Sequence, residues 1–322
     1  MVKGELRLIP SPQREEAIGG VCRSLTCAVK LTSHLDRPRA GPTSSPGRHA
    51  PLTSSSRGRY INVTPAHYPV GDDSAVPMGL TITAIVCAYN ESRLLPACLY
   101  SIKAQTRPPD DILVINNAST DQTAAVARAV PGVRVVDEPR KGLVVARETA
   151  RRAADTDLLA FLDADCRAPI TWIERVEARF LDRDGCVAVT GPYRFYDWTV
   201  TGRALIRLYD LLVAPPTHAL VHQFLAIGAV LYGGNFVVRR EALASIGGFD
   251  ERIEFHGEDT NLGRRLTPVG RIALCADCWV WTSARRYREM GTSAVCRLYI
   301  RNFWSELLRH RPADDRHLDV RA

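Results

Sequence analysis

From Leu80 onward, short apolar runs alternate with amphipathic segments, which restricts the chain to a βαβ sheet with helices packed on its faces. The expected strands are residues 81–88, 111–115, 133–136, 158–162 and 186–190, and the expected helices are 97–105, 122–129, 143–154 and 171–181. Right-handed crossovers would set the strand carboxyl ends along one edge, where open sheets of this class bind ligands. Polar residues fall at three of those ends: Asn90 and Glu91 after the first strand, Asn116 and Asn117 after the second, Asp163 and Asp165 after the fourth. One crevice served by three strands is the expected site.

The second half is less regular. Apolar stretches 205–213 and 224–232 read as core helices or an interfacial patch, with Pro215-Pro216 forcing a turn between them. A strand at 235–238, a helix at 240–245, a Gly247-Gly248-Phe249-Asp250 turn, a helix starting near Glu258 and a strand at 275–281 follow. Residues 1–78 are rich in Ser, Thr, Pro, Gly and Arg and cannot bury enough apolar surface to offset their ordering entropy. They are expected to be disordered, or an extension upstream of a start at Met78. Residues 79–322 then form the folded part: a nucleotide-binding half at about 80–190, an acceptor half at about 191–290 and a helical tail.

A net charge of +7 is spread along the chain without a dense basic block interleaved with aromatics, so nucleic acid is not an expected partner. Nine cysteines at irregular spacing, several inside apolar runs, point to a reducing cytosol. Cys275 and Cys278 lack a second ligand pair for zinc and read as buried strand cysteines. His218 and His222 stand four apart without an HExxH context and read as helix-surface or acceptor-side residues. No apolar stretch is long enough to span a bilayer and no signal-peptide pattern opens the chain, so the expected location is the cytoplasm, with peripheral contact to the inner membrane face open.

Asp163-Ala164-Asp165 follows the buried run 158–162, so two carboxylates emerge together at a strand end. Such a pair suits Mg²⁺ or Mn²⁺, which favour one or two carboxylates plus substrate phosphates; a solvated strand-end turn is the plain alternative. Glu258-Asp259 opens a helix, where a carboxylate either caps or accepts a proton from a hydroxyl. Lys141-Gly142 precedes a helix and can cradle phosphate or be solvated charge. No GxGxxG or GxxxxGK[ST] loop is present.

Ile85-Val86-Cys87-Ala88-Tyr89-Asn90-Glu91, Ile115-Asn116-Asn117-Ala118-Ser119-Thr120-Asp121 and Phe161-Leu162-Asp163-Ala164-Asp165 occur in an order and spacing that resembles family 2 glycosyltransferases. Gly234-Asn235-Phe236, Gly247-Gly248-Phe249-Asp250 and Gly257-Glu258-Asp259-Thr260 continue the resemblance, which covers about residues 80–285. It implies one A-type glycosyltransferase domain, α/β, with a mostly parallel central sheet flanked by helices. It further implies that Ala88, Tyr89, Asn90 and Glu91 line a nucleotide pocket, that Asn116 and Asn117 approach the base, and that Asp163 and Asp165 approach the ribose and a metal diphosphate. Asp259, of the Glu258-Asp259 pair, is the implied catalytic base.

One departure concerns Asn116, where the family most often has an aspartate that accepts the N3–H of uracil. An amide still accepts that proton and adds a donor, but without charge assistance. With one base and no second nucleophile, the implied reaction is a single, inverting displacement from a nucleoside-diphosphate sugar onto an acceptor hydroxyl. The expected acceptor is a saccharide or a lipid-linked molecule: Arg285-Arg286-Tyr287-Arg288 could bind an acceptor phosphate, a donor diphosphate or water, and with the apolar 205–232 region it permits a polyprenyl-phosphate or other lipid acceptor, core packing with solvated arginines being the alternative. Two rival readings are a catalytically silent nucleotide-sugar binder, which should lack these carboxylates, and a nucleotidyltransferase, which should carry a glycine-rich loop after the first strand.

Overall fold

The computed structural model describes residues 79–182 and 185–314. The expectation of disorder for residues 1–78 falls outside the described residues. Nine strands are described: β1 (Ile82–Ala88), β2 (Asp111–Asn117), β3 (Arg134–Glu138), β4 (Leu158–Asp163), β5 (Cys186–Thr190), β6 (Tyr193–Phe195), β7 (Asn235–Arg239), β8 (Arg271–Leu274) and β9 (Val280–Thr282). Helices α1 (Leu95–Lys103), α2 (Thr123–Arg128), α3 (Leu143–Ala153) and α4 (Trp172–Leu181) alternate with the first five strands. After them come α5 (Val200–Leu212), α6 (Ala214–His218), a π-helical turn Ala219–Phe224, α7 (Arg240–Ser245), α8 (Glu258–Leu266), α9 (Arg285–Met290) and α10 (Thr292–Arg309).

The central sheet has seven strands in the order β3-β2-β1-β4-β7-β5-β8, and β6 pairs with β9 in a second, two-stranded sheet. Strands β3, β2, β1 and β4 are mutually parallel, β7 runs antiparallel to both its neighbours, and β8 is parallel to β5. Six of the seven strands therefore end on the same edge, and β7 begins there, its Asn235 opposite Leu162. This is the mostly parallel, helix-flanked sheet expected from the sequence.

The central strands are near-continuous apolar runs because both faces are covered. Along β1, Ile82, Ala84, Val86 and Ala88 pack with α1 and α4 residues such as Leu99, Ile102, Trp172 and Val176. Ile85, facing the other way, packs with Leu113, Ile115, Val144, Ala150, Leu262 and Leu266. Stacking of Phe161 on Phe236, at 4.8 Å between ring centroids, ties β4 to β7 in that second core.

Several expectations change. Asn116 and Asn117 do not follow β2 but end it, since pairing with β3 continues through Asn116 opposite Asp137 and Asn117 opposite Glu138. Asp163 likewise closes β4. No single strand runs from 275 to 281: β8 ends at Leu274, a turn closed by Cys278 N–H donating to Cys275 C=O intervenes, and β9 starts at Val280 in the other sheet. Both cysteines are buried, in that turn rather than in a strand. Pro215 and Pro216 do not force a turn; they occupy the first turn of α6, where their missing N–H groups would be unpaired anyway.

His218 and His222 are not surface residues. His218 is buried with Nε2 at 3.0 Å from Ile272 C=O, and His222 Nε2 accepts from Ile272 N–H at 2.9 Å, so the pair satisfies the open side of edge strand β8. Stretch 224–232 is not helical beyond Phe224, whereas 205–213 lies largely in α5 with its leucines exposed. Among the described residues, no helix is long and apolar enough to cross a membrane.

Candidate active site

The loops leaving β1 and β2 are stitched together along the shared strand edge. Asn90 (φ 51°) and Ala118 (φ 56°) both take the left-handed conformation there. Asn90 Oδ1 accepts from Thr120 N–H at 2.8 Å, Glu91 N–H donates to Thr123 Oγ1 at 2.8 Å, and Ser92 N–H donates to Asp121 Oδ2 at 3.2 Å. The Asn-Ala-Ser-Thr-Asp motif is thus the brace of the first loop. Ala88 is fully buried beneath it, and Tyr89 meets Lys141, whose Nζ lies 2.9 Å from the phenol oxygen and 4.1 Å from the ring centroid.

Asn117 spends its amide on the next loop. Its Nδ2 donates to Arg140 C=O at 2.6 Å and its Oδ1 accepts from Gly142 N–H at 2.9 Å, which fixes the entry to α3. Asn116 differs: Nδ2 donates to Asp137 Oδ1 at 2.8 Å, while Oδ1 is buried with no partner among the described residues. A buried acceptor left open is costly unless a ligand N–H completes it.

Asp163 and Asp165 part in environment. Asp163 keeps 45% of its side chain exposed, with Arg147 Nη2 at 3.9 Å. A Cβ on Gly234, at the start of β7, would sit 2.1 Å from Asp163 Oδ2, so only glycine leaves that carboxylate its place. Asp165 is buried; Thr282 Oγ1 donates to its Oδ1 at 3.2 Å and Arg285 Nη2 lies 3.2 Å from its Oδ2. Burial pushes the Asp165 carboxyl up to about 7, with Arg285 opposing and Asp163 and Glu91 reinforcing. Arg285 also forms an ion pair with buried Glu91, so α9 is fastened to the β1 loop.

The third carboxylate cluster comes from α8. Gly257, at φ 88°, turns the chain into the helix, and Glu258 and Asp259 occupy its first turn, where the helix dipole favours negative charge. Glu258 Oε1 is held by Arg147 Nη1 at 2.8 Å. Among the described residues, Asp259 Oδ1 accepts only from its own neighbour, Thr260 N–H at 2.7 Å and the Thr260 hydroxyl at 3.3 Å. Burial pushes Asp259 up to about 7, Glu258 adds to the effect, and Thr260 and Arg147 oppose it. Arg147, only 3% exposed, therefore reaches both Asp163 and Glu258, and also donates to Gly233 C=O at 2.6 Å.

The donor set fits a hard divalent cation. Asp163 offers oxygens at the surface of the edge, and Asp165 is a buried carboxyl two residues on whose charged form is disfavoured chiefly by burial and further by Asp163 and Glu91, so a cation there would favour it. The three arginines of 285–288 go to different partners: Arg285 to Asp165 and Glu91, Arg286 to the Tyr299 hydroxyl at 3.1 Å, and Arg288 to Asp197 at 2.7 Å. Arg147, and Gly234 as a close approach, were not singled out from sequence, and Arg285 was read there only as part of a phosphate-binding or solvated cluster. A signal existed for Arg147, which falls three residues from each of the buried Val144 and Ala150 and so sits on the core stripe of α3.

Residues 83–247 match a model of the family described as glycosyl transferase family 2. Among curated proteins, the chain is similar to the glycosyltransferase AglE of Haloferax volcanii, 27% identical over 196 residues that make up 59% of this chain and 62% of that protein. It is also similar to an uncharacterized glycosyltransferase of Mycobacterium bovis, 33% identical over 180 residues, 54% of this chain and 74% of the relative. The aligned region thus spans less than two thirds of the archaeal relative. Among solved structures, the mannosyltransferase PcManGT of Pyrobaculum calidifontis, in complex with GDP-Man and Mn²⁺, superposes with a TM-score of 0.55 at 20% identity, over 73% of this chain and 64% of that one. Glucosyl-3-phosphoglycerate synthase of Mycobacterium tuberculosis, in complex with Mn²⁺, UDP and phosphoglyceric acid, gives 0.52 at 24% identity, over 71% and 79%. At these identities the structural likeness shows the fold.

Proposed function

The chain belongs to glycosyl transferase family 2, and from that premise we propose that it moves a sugar from a nucleoside-diphosphate sugar to an acceptor hydroxyl with inversion at the anomeric carbon. The observation that carries this reading is Arg147, which bridges the Asp163 carboxylate at the end of β4 and the Glu258-Asp259 turn of α8 into one site. Asp259 is the base: its carboxyl, pushed up to about 7, is matched to taking a proton from a hydroxyl near neutral pH. Glu258, locked on Arg147, positions the turn.

Asn116 Oδ1, the buried acceptor with no partner, takes an N–H of the nucleobase, and Asn117 and Lys141 shape the loop that carries the phosphates toward α3. Tyr89 and Asn90 form the rim of the nucleotide pocket, with Ala88 and the Arg285-paired Glu91 buried beneath it. When bound by Asp165 and Asp163, a Mg²⁺ or Mn²⁺ ion supplies neutralisation of charge on the leaving diphosphate. The solved neighbours complexed with Mn²⁺ and GDP-Man, or with Mn²⁺ and UDP, support a cation and a nucleotide-sugar donor. The acceptor is a saccharide or lipid-linked hydroxyl.

The test is a thermal-shift screen against UDP-, GDP- and dTDP-sugars with Mn²⁺, Mg²⁺ or EDTA, followed by transfer assays with the donor that binds. Metal-dependent stabilisation by one nucleotide supports the reading. A folded protein that no nucleotide stabilises in any metal would refute it.

A further inference from the structure

Helix α5 is apolar where it meets solvent. Val200 is 77% exposed, Leu205 55%, Leu208 53%, Leu211 68% and Leu212 64%. At 3.6 residues per turn these five side chains fall within an arc of ~140°. Thr201 and Ala204 are the other residues in that arc, so it contains no acidic side chain. The helix's one carboxylate, Asp210, is turned away, accepting from the Tyr232 hydroxyl at 2.5 Å.

Beside this arc lies positive charge that Asp210 offsets only in part. Arg203 and Arg207, one helical turn apart, line with Arg194 and Trp281 a cleft of about 100 Å³. Among the described residues, none of these three arginines has a carboxylate within ion-pair distance. Arg194 is stacked on Trp279 at 3.5 Å from the ring centroid, and burial with Arg207 and Arg175 nearby holds its pKa down to about 10. Leucines outward, arginines at the flank and tryptophans behind are the parts of an interfacial helix, whose affinity adds apolar burial to attraction for anionic headgroups.

We propose that α5 docks the protein on an anionic lipid bilayer, with its leucine arc in the interface and Arg194, Arg203 and Arg207 taking lipid phosphates beside it. Just beyond one edge of this arc, by ~40° of helix rotation, Tyr209 lies within electrostatic reach of Asp259. Docking on α5 therefore holds the base-bearing side of the site at the bilayer surface, where a lipid-borne acceptor hydroxyl arrives. That last step rests on the transferase reading; the docking does not.

The test is flotation of the full chain with phosphatidylcholine vesicles and with vesicles also containing phosphatidylglycerol, in the absence of donor. Donor binding is followed separately by thermal shift, so failure of one reading is distinguishable from failure of the other. Binding is expected only to the anionic vesicles and should weaken with salt. The variant Arg203→Ala/Arg207→Ala should bind roughly 30-fold more weakly, which corresponds to about 1 kcal/mol per arginine. Leu208→Glu/Leu211→Glu should abolish binding, with melting and donor binding of both variants as in the parent because the altered side chains are exposed. The proposal fails if the folded parent ignores anionic vesicles, or if it binds them equally well with either variant. It also fails if the leucine variant instead dissolves a self-association without changing vesicle binding, since a second copy would then cover the arc.

Discussion

Arg147 Nη1 lies 2.8 Å from Glu258 Oε1, a contact that spans 111 residues of chain and joins α3 to the first turn of α8. The same guanidinium reaches toward Asp163 at 3.9 Å. With its side chain 3% exposed and that of Glu258 11%, the pair is removed from water, so each charge depends on the other.

Removing one partner should therefore be costly. Arg147→Met is expected to lower stability by ~3–5 kcal/mol, because it strands a buried carboxylate. Adding Glu258→Gln to that variant should recover part of the loss. Urea denaturation of the parent, both single variants and the double variant measures the coupling; additive losses would show that the two side chains do not interact.

Asp259 sets a pH dependence whose sign follows from its shift. Its folded pKa of about 7 lies above the ordinary aspartate value of 3.8, so the folded state holds the proton more tightly than the unfolded state. Stability from this group is fully present below pH 3.8 and is lost as pH rises through 7. Asp259→Asn should raise the melting temperature of the ligand-free protein at pH 8 and change it little at pH 4, while transfer is lost and donor binding persists. In the parent, kcat/KM should rise with pH along a limb centred near 7. Melting curves at the two pH values, a pH–rate profile and donor titrations check the three parts.

Gly234 and Asp163 give a sharper test of the metal end. The Cβ of Gly234→Ala would sit 2.1 Å from Asp163 Oδ2 and 2.8 Å from the Tyr193 hydroxyl. Asp163 is half exposed and can swing away, so the fold should survive with a loss below ~2 kcal/mol. The displaced carboxylate should cost at least tenfold in Mn²⁺-dependent donor affinity, on the order of 1.4 kcal/mol. Isothermal titration with and without EDTA separates this from a general loss of binding, which would appear in both.

Much of this architecture is legible in the sequence because its cause is local. Apolar runs such as 158–162 announce buried strands, and carboxylates that terminate them, as at Asp163, announce an edge. Direction is another matter: Asn235–Arg239 reads as a strand whichever way it runs, and its antiparallel insertion between β4 and β5 is set by tertiary packing. The same limit hides partners. Arg285, Arg286 and Arg288 look alike in sequence, yet the turn of α9 sends them to Asp165, Tyr299 and Asp197. Histidines four apart suggest a helix face, and only the open edge of β8 shows why His218 and His222 turn inward.

Arg285 occupies the place where added positive charge would count most, with Asp165 at 3.2 Å and Glu91 beside it. The Glu91 and Asp165 side chains are only 4% and 9% exposed, so Arg285→Gln exposes two buried carboxylates to mutual repulsion. The metal-free variant should lose ~3–5 kcal/mol of stability. A divalent cation that binds the folded state alone then has more repulsion to relieve than in the parent, so its stabilising effect grows. Melting temperatures over a Mn²⁺ titration without nucleotide should rise further for Arg285→Gln than for the parent, and EDTA should abolish the difference. Equal Mn²⁺ responses would mean that the Arg285 guanidinium does not compete with a cation for the field of Asp165.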